Sequence, residues 1–382
     1  MIEFELTDEQ RMLRETVIEF AKRELDDDVM RHDREGRFSR EAWRKCAELG
    51  LQGLPVPTEY GGSGADPVTV VVALEALGYA CRDNGLIFSL NAQMWSCETP
   101  IVKFGSETQK RRYLPALCDG SIIAGHGMSE PESGSDAFSL STTAEKRGAA
   151  YVLTGSKTFV TNGPESDVFV VFATTDRSKG FAGLCAFLVD RDTPGLTVGA
   201  PLSKMGLRTS PMSEIFLDGC AVPEEQLLGK PGAGMAMFNA SMLWERSLIL
   251  ASTLGTMQRQ LERCIDHARE RKQFGQPIGS FQAVSHRIVD MKLRLETARL
   301  LLYRLGWLLA RGESAALQSA LTKLYLSECF LQSSLDALQI HGGYGYMTEY
   351  ELEREVRDAV ASRIYSGTSD IQHNIAAGYL GL

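Results

Sequence analysis

The sequence predicts an α+β fold in three blocks: an N-terminal helical domain over 1–120, an antiparallel, barrel-like β domain over 121–228, and a C-terminal four-helix-type bundle over 229–382. Three observations carry this. From Phe4 to about Asp119 apolar residues recur three and four apart, as at Val17, Phe20, Ala21 and Leu25, the spacing that gathers them on one helical face. From about Ser121 to Leu228, runs such as YVLTGSKTFVTNG and SDVFVVFATT are β-branched and aromatic and are punctuated by Gly and Asn, the pattern of antiparallel strands. After the Gly-rich stretch Gly229–Gly234 the helical spacing returns.

In order along the chain, the opening stretch reads as an amphipathic, charge-rich helix without the apolar centre of a secretory signal. The loop PTEYGGSGADP, Pro57 to Pro67, interrupts the helices. TPGLTVGAP and SEIFLDGCAVP continue the strands. Beyond Gly234, Met242 to Gly275 reads as one long helix, Phe281 to Gly312 as another, and about Ala316 to Gln339 as a third. Such helices, with mixed apolar and charged faces, predict an antiparallel bundle on which further subunits pack. No solenoid-length repeat is present.

Composition narrows the function. With 382 residues, 44% of them hydrophobic, the chain buries a sizeable core. A net charge of −9 argues against nucleic acid as a partner. No apolar run approaches the ~18 residues that span a bilayer, so a cytoplasmic location is expected. The eight cysteines (Cys46, Cys81, Cys97, Cys118, Cys185, Cys220, Cys264, Cys329) show no metal-ligand spacing and read as reduced core thiols. The six histidines form no HExxH, so no metal site is expected.

Several short motifs carry chemistry only in combination. GMSEPESGSDAFSLSTTA, Gly127 to Ala144, offers hydroxyls and main-chain N–H groups to a phosphate or a ring edge; alone it is an ordinary polar turn. In SKTFVTNG, alternation puts Phe159 and Thr161 on one strand face, a stacking surface beside a hydroxyl; alone it is a sheet face. ARERKQFGQPIGSFQ closes a helix with cations, which its dipole favours anyway. QIHGGYGY ends another helix with a Gly-rich turn that does not follow a strand, as a nicotinamide fingerprint requires. RIYSGTSDIQ leads into the terminal helix.

In this order and register, the EYGG loop, MSEPxSGSD, FVTNG, RKQFG, QIHGGYGY and YSGTSDIQ resemble the acyl-CoA dehydrogenase family across essentially the whole chain. The resemblance implies one non-covalent FAD per subunit, usually in a homotetramer. It implies that Met128 and Ser129 meet the flavin's pyrimidine edge, that Ser135 lies near the pyrophosphate and the substrate, and that Phe159 and Thr161 line the ring. It implies further that Arg271, Gln273, Phe274, Gln282, Gln339, Gly342 and Gly343 of a neighbouring subunit hold the pyrophosphate and adenosine, and that Thr368 and Asp370 complete the cofactor site.

The family's reaction needs a carboxylate to take the α-proton while the flavin accepts the β-hydrogen as hydride. Many members carry that base in a Tyr-Glu-Gly-Thr sequence; here the same place reads Tyr365-Ser366-Gly367-Thr368. A subgroup places it on the long helix just before an arginine, a position filled by Glu245 beside Arg246, among Met242, Trp244, Leu248 and Ile249. Burial there raises a carboxylate's pKa. Glu245 is therefore the candidate base, with Arg246, Ser366 and Gly367 as substrate contacts; the alternative is a solvated helix carboxylate or a partner of a nearby arginine.

Within the family, RDNGLIFSLNAQMWSC, the Trp244-Glu245-Arg246 triplet and IYSGTSDIQ resemble dehydrogenases that oxidise a prolyl group held on a carrier protein by phosphopantetheine. The implied substrate is a carrier-bound aminoacyl thioester, with a short or branched acyl-CoA as the alternative. A flavin-dependent oxygenase and a non-catalytic homologue stand further off. The implied acceptor is an electron-transferring flavoprotein or O2. A basic patch including Lys204 and Arg208 is a candidate surface for an acidic carrier.

Overall fold

The computed structural model describes residues 5–25 and 28–382; the Phe4 start of the first helical stretch lies outside them. Seven helices come first: α1 Asp8–Glu24, α2 Val29–Glu35, α3 Arg40–Glu48, α4 Pro67–Ala80, α5 Asn84–Gln93, α6 Thr99–Phe104 and α7 Glu107–Cys118. Their starts follow local chemistry. Thr7 caps α1 through a reciprocal box with Gln10, and Asp66 caps α4 ahead of a proline whose missing N–H costs nothing there. Between α5 and α6 the chain makes a five-residue π-turn, Met94–Glu98.

Eight strands follow: β1 Ala124–Gly127, β2 Thr143–Arg147, β3 Ala150–Thr161, β4 Val168–Thr174, β5 Leu184–Asp190, β6 Leu196–Val198, β7 Met212–Pro223 and β8 Leu227–Leu228. They form one sheet in the order β6-β7-β3-β2-β4-β5-β8, with β1 paired to β4. The sheet is mixed, which corrects the all-antiparallel expectation: β1 and β2 both run parallel to β4 and divide its edge. Texture alone does not separate parallel from antiparallel neighbours when both faces are buried. Val168, Val170 and Phe172 of β4 point into one apolar cluster, and Phe169, Val171 and Ala173 into another, the period-2 alternation of a strand buried on both sides.

The third block holds α8 Gly234–Leu248, α9 Ala251–Glu270, the small hairpin β9 Lys272–Gln273 and β10 Gln276–Pro277, then α10 Gln282–Ala310, α11 Ala316–His341, α12 Leu352–Ala361 and α13 Ser369–Leu380. The single long helix expected from Met242 to Gly275 is broken at Ile249 and Leu250. The reason is packing. α9 is drawn onto α4 so closely that a Cβ on Gly78 would lie 1.8 Å from the Ser252 carbonyl oxygen, and one on Gly255 2.0 Å from that of Glu75, while α8 packs Met237, Phe238 and Met242 against the sheet. One straight rod cannot meet both surfaces. Helices of the first and third blocks share one apolar core, including Trp43, Leu77, Trp95, Leu254, Leu302 and Leu326. All eight cysteines are free and buried.

Candidate active site

α8 lies between the sheet and the helices, and its third turn carries Glu245 into a cavity of about 1420 Å³. Glu245 is 7% exposed. Its Oε2 accepts from Ser96 Oγ at 2.5 Å and its Oε1 from Ser366 Oγ at 2.5 Å, distances typical of charge-assisted O–H···O⁻ bonds. Burial pushes the Glu245 carboxyl up, against the pull of both serine hydroxyls and of Arg246 and Lys323. The cavity wall beside it is formed by Met242, Leu243, Arg246 and Ile249; Leu248, expected there, turns into the helical core instead. Arg246 donates from Nε to the Ser366 carbonyl at 3.3 Å and makes no ion pair with Glu245 among the described residues, as residues about 100° apart on a helix require.

The turn Tyr365–Thr368 closes one side. Ser366 stands in the left-handed region at φ 57, costly for a residue with a side chain. Side-chain donors hold it there: Lys323 Nζ reaches the Gly367 carbonyl at 2.7 Å, and Gln372 Nε2 reaches those of Gly367 at 2.9 Å and Ser366 at 3.2 Å. Burial pulls Lys323 down to about 8. Tyr365 packs on Phe88 with ring centres 4.7 Å apart, and Phe88, Ala92 and Ser96 line the same wall at four-residue spacing. Thr368 lines the cavity too, although its hydroxyl caps α13 by accepting from Ile371 N.

The opposite wall is the loop after β1 with the end of β3. Met128, Ser129 and Ser135 line the cavity, as do Phe159 and Thr161. The shared face of Phe159 and Thr161 arises differently from the expected alternation: the β3–β7 register slips between Lys157 and Val160, and Phe159 takes φ 55 and remains 64% exposed. A bulge aims a side chain that regular pleating would not. The loop is pinned to β3 by a buried ion pair, Lys157 Nζ to Glu130 Oε1 at 2.7 Å. Glu130 also accepts from Ser141 N and Oγ, both at 2.5 Å, and from Thr142 N at 3.0 Å.

A second group of expected residues lies elsewhere on the protomer. Arg271, Gln273, Gly342 and Gly343 line a separate hollow of about 500 Å³ with Tyr344. A Cβ on Gly342 or Gly343 would meet nothing within 4 Å. Phe274, at the tip of the β9–β10 hairpin, is 93% exposed. Gln282, Gln339 and Asp370 are exposed and line neither cavity.

The expected basic patch at Lys204 and Arg208 is corrected. Lys204 turns inward and donates to the Leu207 carbonyl at 2.7 Å and to that of Ser210, while Arg208 Nε is spent on the Lys204 carbonyl at 3.0 Å. Sequence reasoning missed Ser96 and the Lys157–Glu130 pair. Ser96 meets Glu245 across 149 positions, and no local spacing signals such a contact; Glu130 and Lys157 stood inside two quoted motifs, where a lone carboxylate and a lone ammonium are a legible hint of pairing.

Among the described residues no helix is long and apolar enough to cross a membrane. Family models for acyl-CoA dehydrogenase match all three blocks: the N-terminal domain at 7–121, the middle domain at 125–220 and the C-terminal domain at 232–380. The chain belongs to the acyl-CoA dehydrogenase family. As such it is an oxidoreductase that acts on CH–CH bonds. It is 46% identical to an L-prolyl–peptidyl-carrier-protein dehydrogenase of Pseudomonas fluorescens, over 90% of this chain and 91% of that one. The crystal structure of the prolyl acyl carrier protein oxidase AnaB matches with a TM-score of 0.98 at 50% identity, over 99% of this chain and 100% of that one. PigA, solved with FAD and proline, matches with a TM-score of 0.98 at 41% identity over 100% of both chains.

Proposed function

We propose that this acyl-CoA dehydrogenase family member is an FAD-dependent enzyme that desaturates a prolyl thioester carried on a small carrier protein. The observation that carries the reading is Glu245, a buried carboxylate held by two hydroxyls in the wall of the large cavity. The relatives named for prolyl carrier proteins support the substrate.

The residues present fit FAD. Phe159 is held open toward the large cavity by a bulge at a positive φ, offering a flat apolar face, with the Thr161 hydroxyl beside it on the same wall. When bound, the flavin supplies acceptance of the β-hydrogen as hydride. Met128, Ser129, Ser135 and Thr368 would hold the ring and the near phosphate from this protomer. Arg271, Gln273, Phe274, Gln282, Gln339, Gly342 and Gly343 would serve the pyrophosphate and adenosine of a neighbouring protomer's cofactor, and Asp370 would complete the cofactor site. A cation beside open-faced glycines suits an anionic ligand.

In the reaction Glu245 takes the α-proton, its basicity raised by burial. Ser366 and Gly367 line the substrate side of the turn. Arg246 anchors that turn through the Ser366 carbonyl. The cavity walls Met242, Leu243, Phe88 and Ile249 exclude water from the reacting carbon.

The enzyme works as a homotetramer in the cytoplasm and passes electrons to an electron-transferring flavoprotein or to O2. Val289, Leu293, Leu300 and Trp307 form an exposed apolar row along α10, the kind of face that a second subunit covers. The test is anaerobic flavin bleaching by prolyl carrier protein against a panel of acyl-CoA thioesters. Bleaching by the carrier substrate supports the reading; bleaching by a free CoA thioester alone replaces it with a short or branched acyl-CoA dehydrogenase.

A further inference from the structure

We infer that Ser96 and Ser366 are positioning residues that set both the aim and the protonation of Glu245, so that the serine standing in the Tyr-Ser-Gly-Thr turn serves the displaced base instead of replacing it. The inference rests on Glu245 being the base. It deepens that reading by assigning work to two residues whose own chemistry is inert.

The geometry is a two-point clamp. Each carboxylate oxygen takes one hydroxyl, Oε2 from Ser96 and Oε1 from Ser366, both at 2.5 Å. The donors come from two separate elements, Ser96 from the π-turn after α5 and Ser366 from the turn before α13. Rotation of the carboxyl about its last bond would break both hydrogen bonds, so its plane is fixed while a second lone pair on each oxygen stays free for the substrate's proton.

Both serines are held where they are at a structural cost. The π-turn inserts one extra residue into the helical run, an arrangement that recurs at functional sites, and it is fastened to α8 twice. Ser241 Oγ donates to the Trp95 carbonyl at 2.8 Å, and one helical turn later Glu245 accepts from Ser96. Ser366 sits at φ 57, kept there by Arg246 and Gln372 on its own carbonyl and by Lys323 and Gln372 on the next. Three side chains therefore lock a strained backbone whose outcome is a hydroxyl aimed at Oε1. Among the described residues neither serine hydroxyl makes another side-chain hydrogen bond that would explain its placement.

The charge balance gives the clamp its purpose. Facing Glu245 are the two hydroxyls, Arg246 on its own helix, Lys323 on α11, and the buried Tyr365 and Cys97, whose own ionisation the carboxylate disfavours; burial drives the carboxyl toward its neutral form, and the hydroxyls and the two cations oppose it. The hydroxyls favour the ionised carboxylate that burial disfavours, without adding a titratable group or a full charge to the substrate's site.

The experiment uses the FAD-loaded enzyme and the variants Ser96→Ala, Ser366→Ala and Ser366→Gly, the last removing the hydroxyl while relieving the positive φ. Rapid anaerobic bleaching by the prolyl carrier substrate is followed from pH 5 to 10. Infrared difference titration of the Glu245 carboxyl without substrate, with Glu245→Gln as the subtraction standard, reads its protonation directly. A hydrogen bond to a charged group corresponds to about one pKa unit or more. Each variant should therefore move the carboxyl titration and the acid limb of the rate profile up by about one unit, a loss of about tenfold below the limb that recovers at high pH. Ser96→Thr should restore the wild-type limb. A titration that stays at its wild-type position, or a loss equal at every pH, overturns the inference. If Glu245→Gln itself bleaches normally, the assignment of the base has failed and not merely the clamp.

Discussion

Replacing Lys157 by methionine keeps much of the side chain's bulk but removes the cation from a carboxylate that has almost no contact with water. Burial pushes Glu130 up, and the Lys157 ammonium together with the Ser141 and Thr142 donors outweighs it, so the carboxyl sits at about 2 against an ordinary 4.5. That gap corresponds to on the order of 3 kcal/mol in favour of the folded state, while burial holds Lys157 down to about 8 and takes back a similar amount at neutral pH. The loss on removing Lys157 therefore comes from the buried carboxylate left behind, about 3–5 kcal/mol by mutational precedent. Because the folded value is depressed, the contribution is fully present above about pH 4.5 and is lost as pH falls toward 2. The cost should fall on the 128–142 loop first, since Glu130 ties that loop to β3 through the Ser141 and Thr142 amides. Lys157→Met should therefore lower the urea midpoint and lose FAD on gel filtration, and adding Glu130→Gln should recover much of the loss. A Lys157→Met protein that matches the wild type in urea and in cofactor retention refutes the reasoning.

Glu98 is fully buried, and burial pushes it up to about 8 against one hydrogen bond from Gln93. A raised carboxylate penalises the folded state increasingly from about pH 4.5 to 8, so Glu98→Gln should match the wild type in urea at pH 5 and exceed it by a few kcal/mol at pH 8. Arg271→Ala should weaken FAD retention at least tenfold by equilibrium dialysis while the far-ultraviolet circular dichroism stays unchanged. Ser366→Glu in the wild-type background puts two carboxylates within hydrogen-bond reach, so one stays protonated and the acid limb of bleaching should move up by one unit or more. In a Glu245→Gln background the same change should restore measurable bleaching.

Much of this fold was readable because its signals are local. The 3.6 period marked α1 through Val17, Phe20 and Ala21, and β-branched runs marked β3, β4 and β5. The family's motifs brought Met128, Ser129, Ser135, Phe159, Thr161 and Glu245 to one cavity. What stayed hidden depends on distant partners. The break at Ile249 exists because Gly78 admits α9 against α4, where the Thr256 hydroxyl reaches the Gly78 carbonyl across 178 positions. The bulge at Phe159 answers to β7, and the parallel pairing of β1 to β4 leaves no mark in either strand. Ser96 was inside a quoted stretch, yet its role needs Glu245 on another helix. Lys204 failed as a surface cation because its ammonium is drawn to backbone carbonyls that no sequence pattern reveals.

Everything proposed for the chemistry turns on Glu245 removing the α-proton. The direct measurement is anaerobic bleaching by prolyl carrier substrate with hydrogen or deuterium at Cα, in the wild type and in Glu245→Gln. Bleaching should be several-fold slower with deuterium in the wild type, and should fall on the order of a thousandfold in Glu245→Gln with FAD still bound. Near-normal bleaching by Glu245→Gln would contradict it and move the base to another residue.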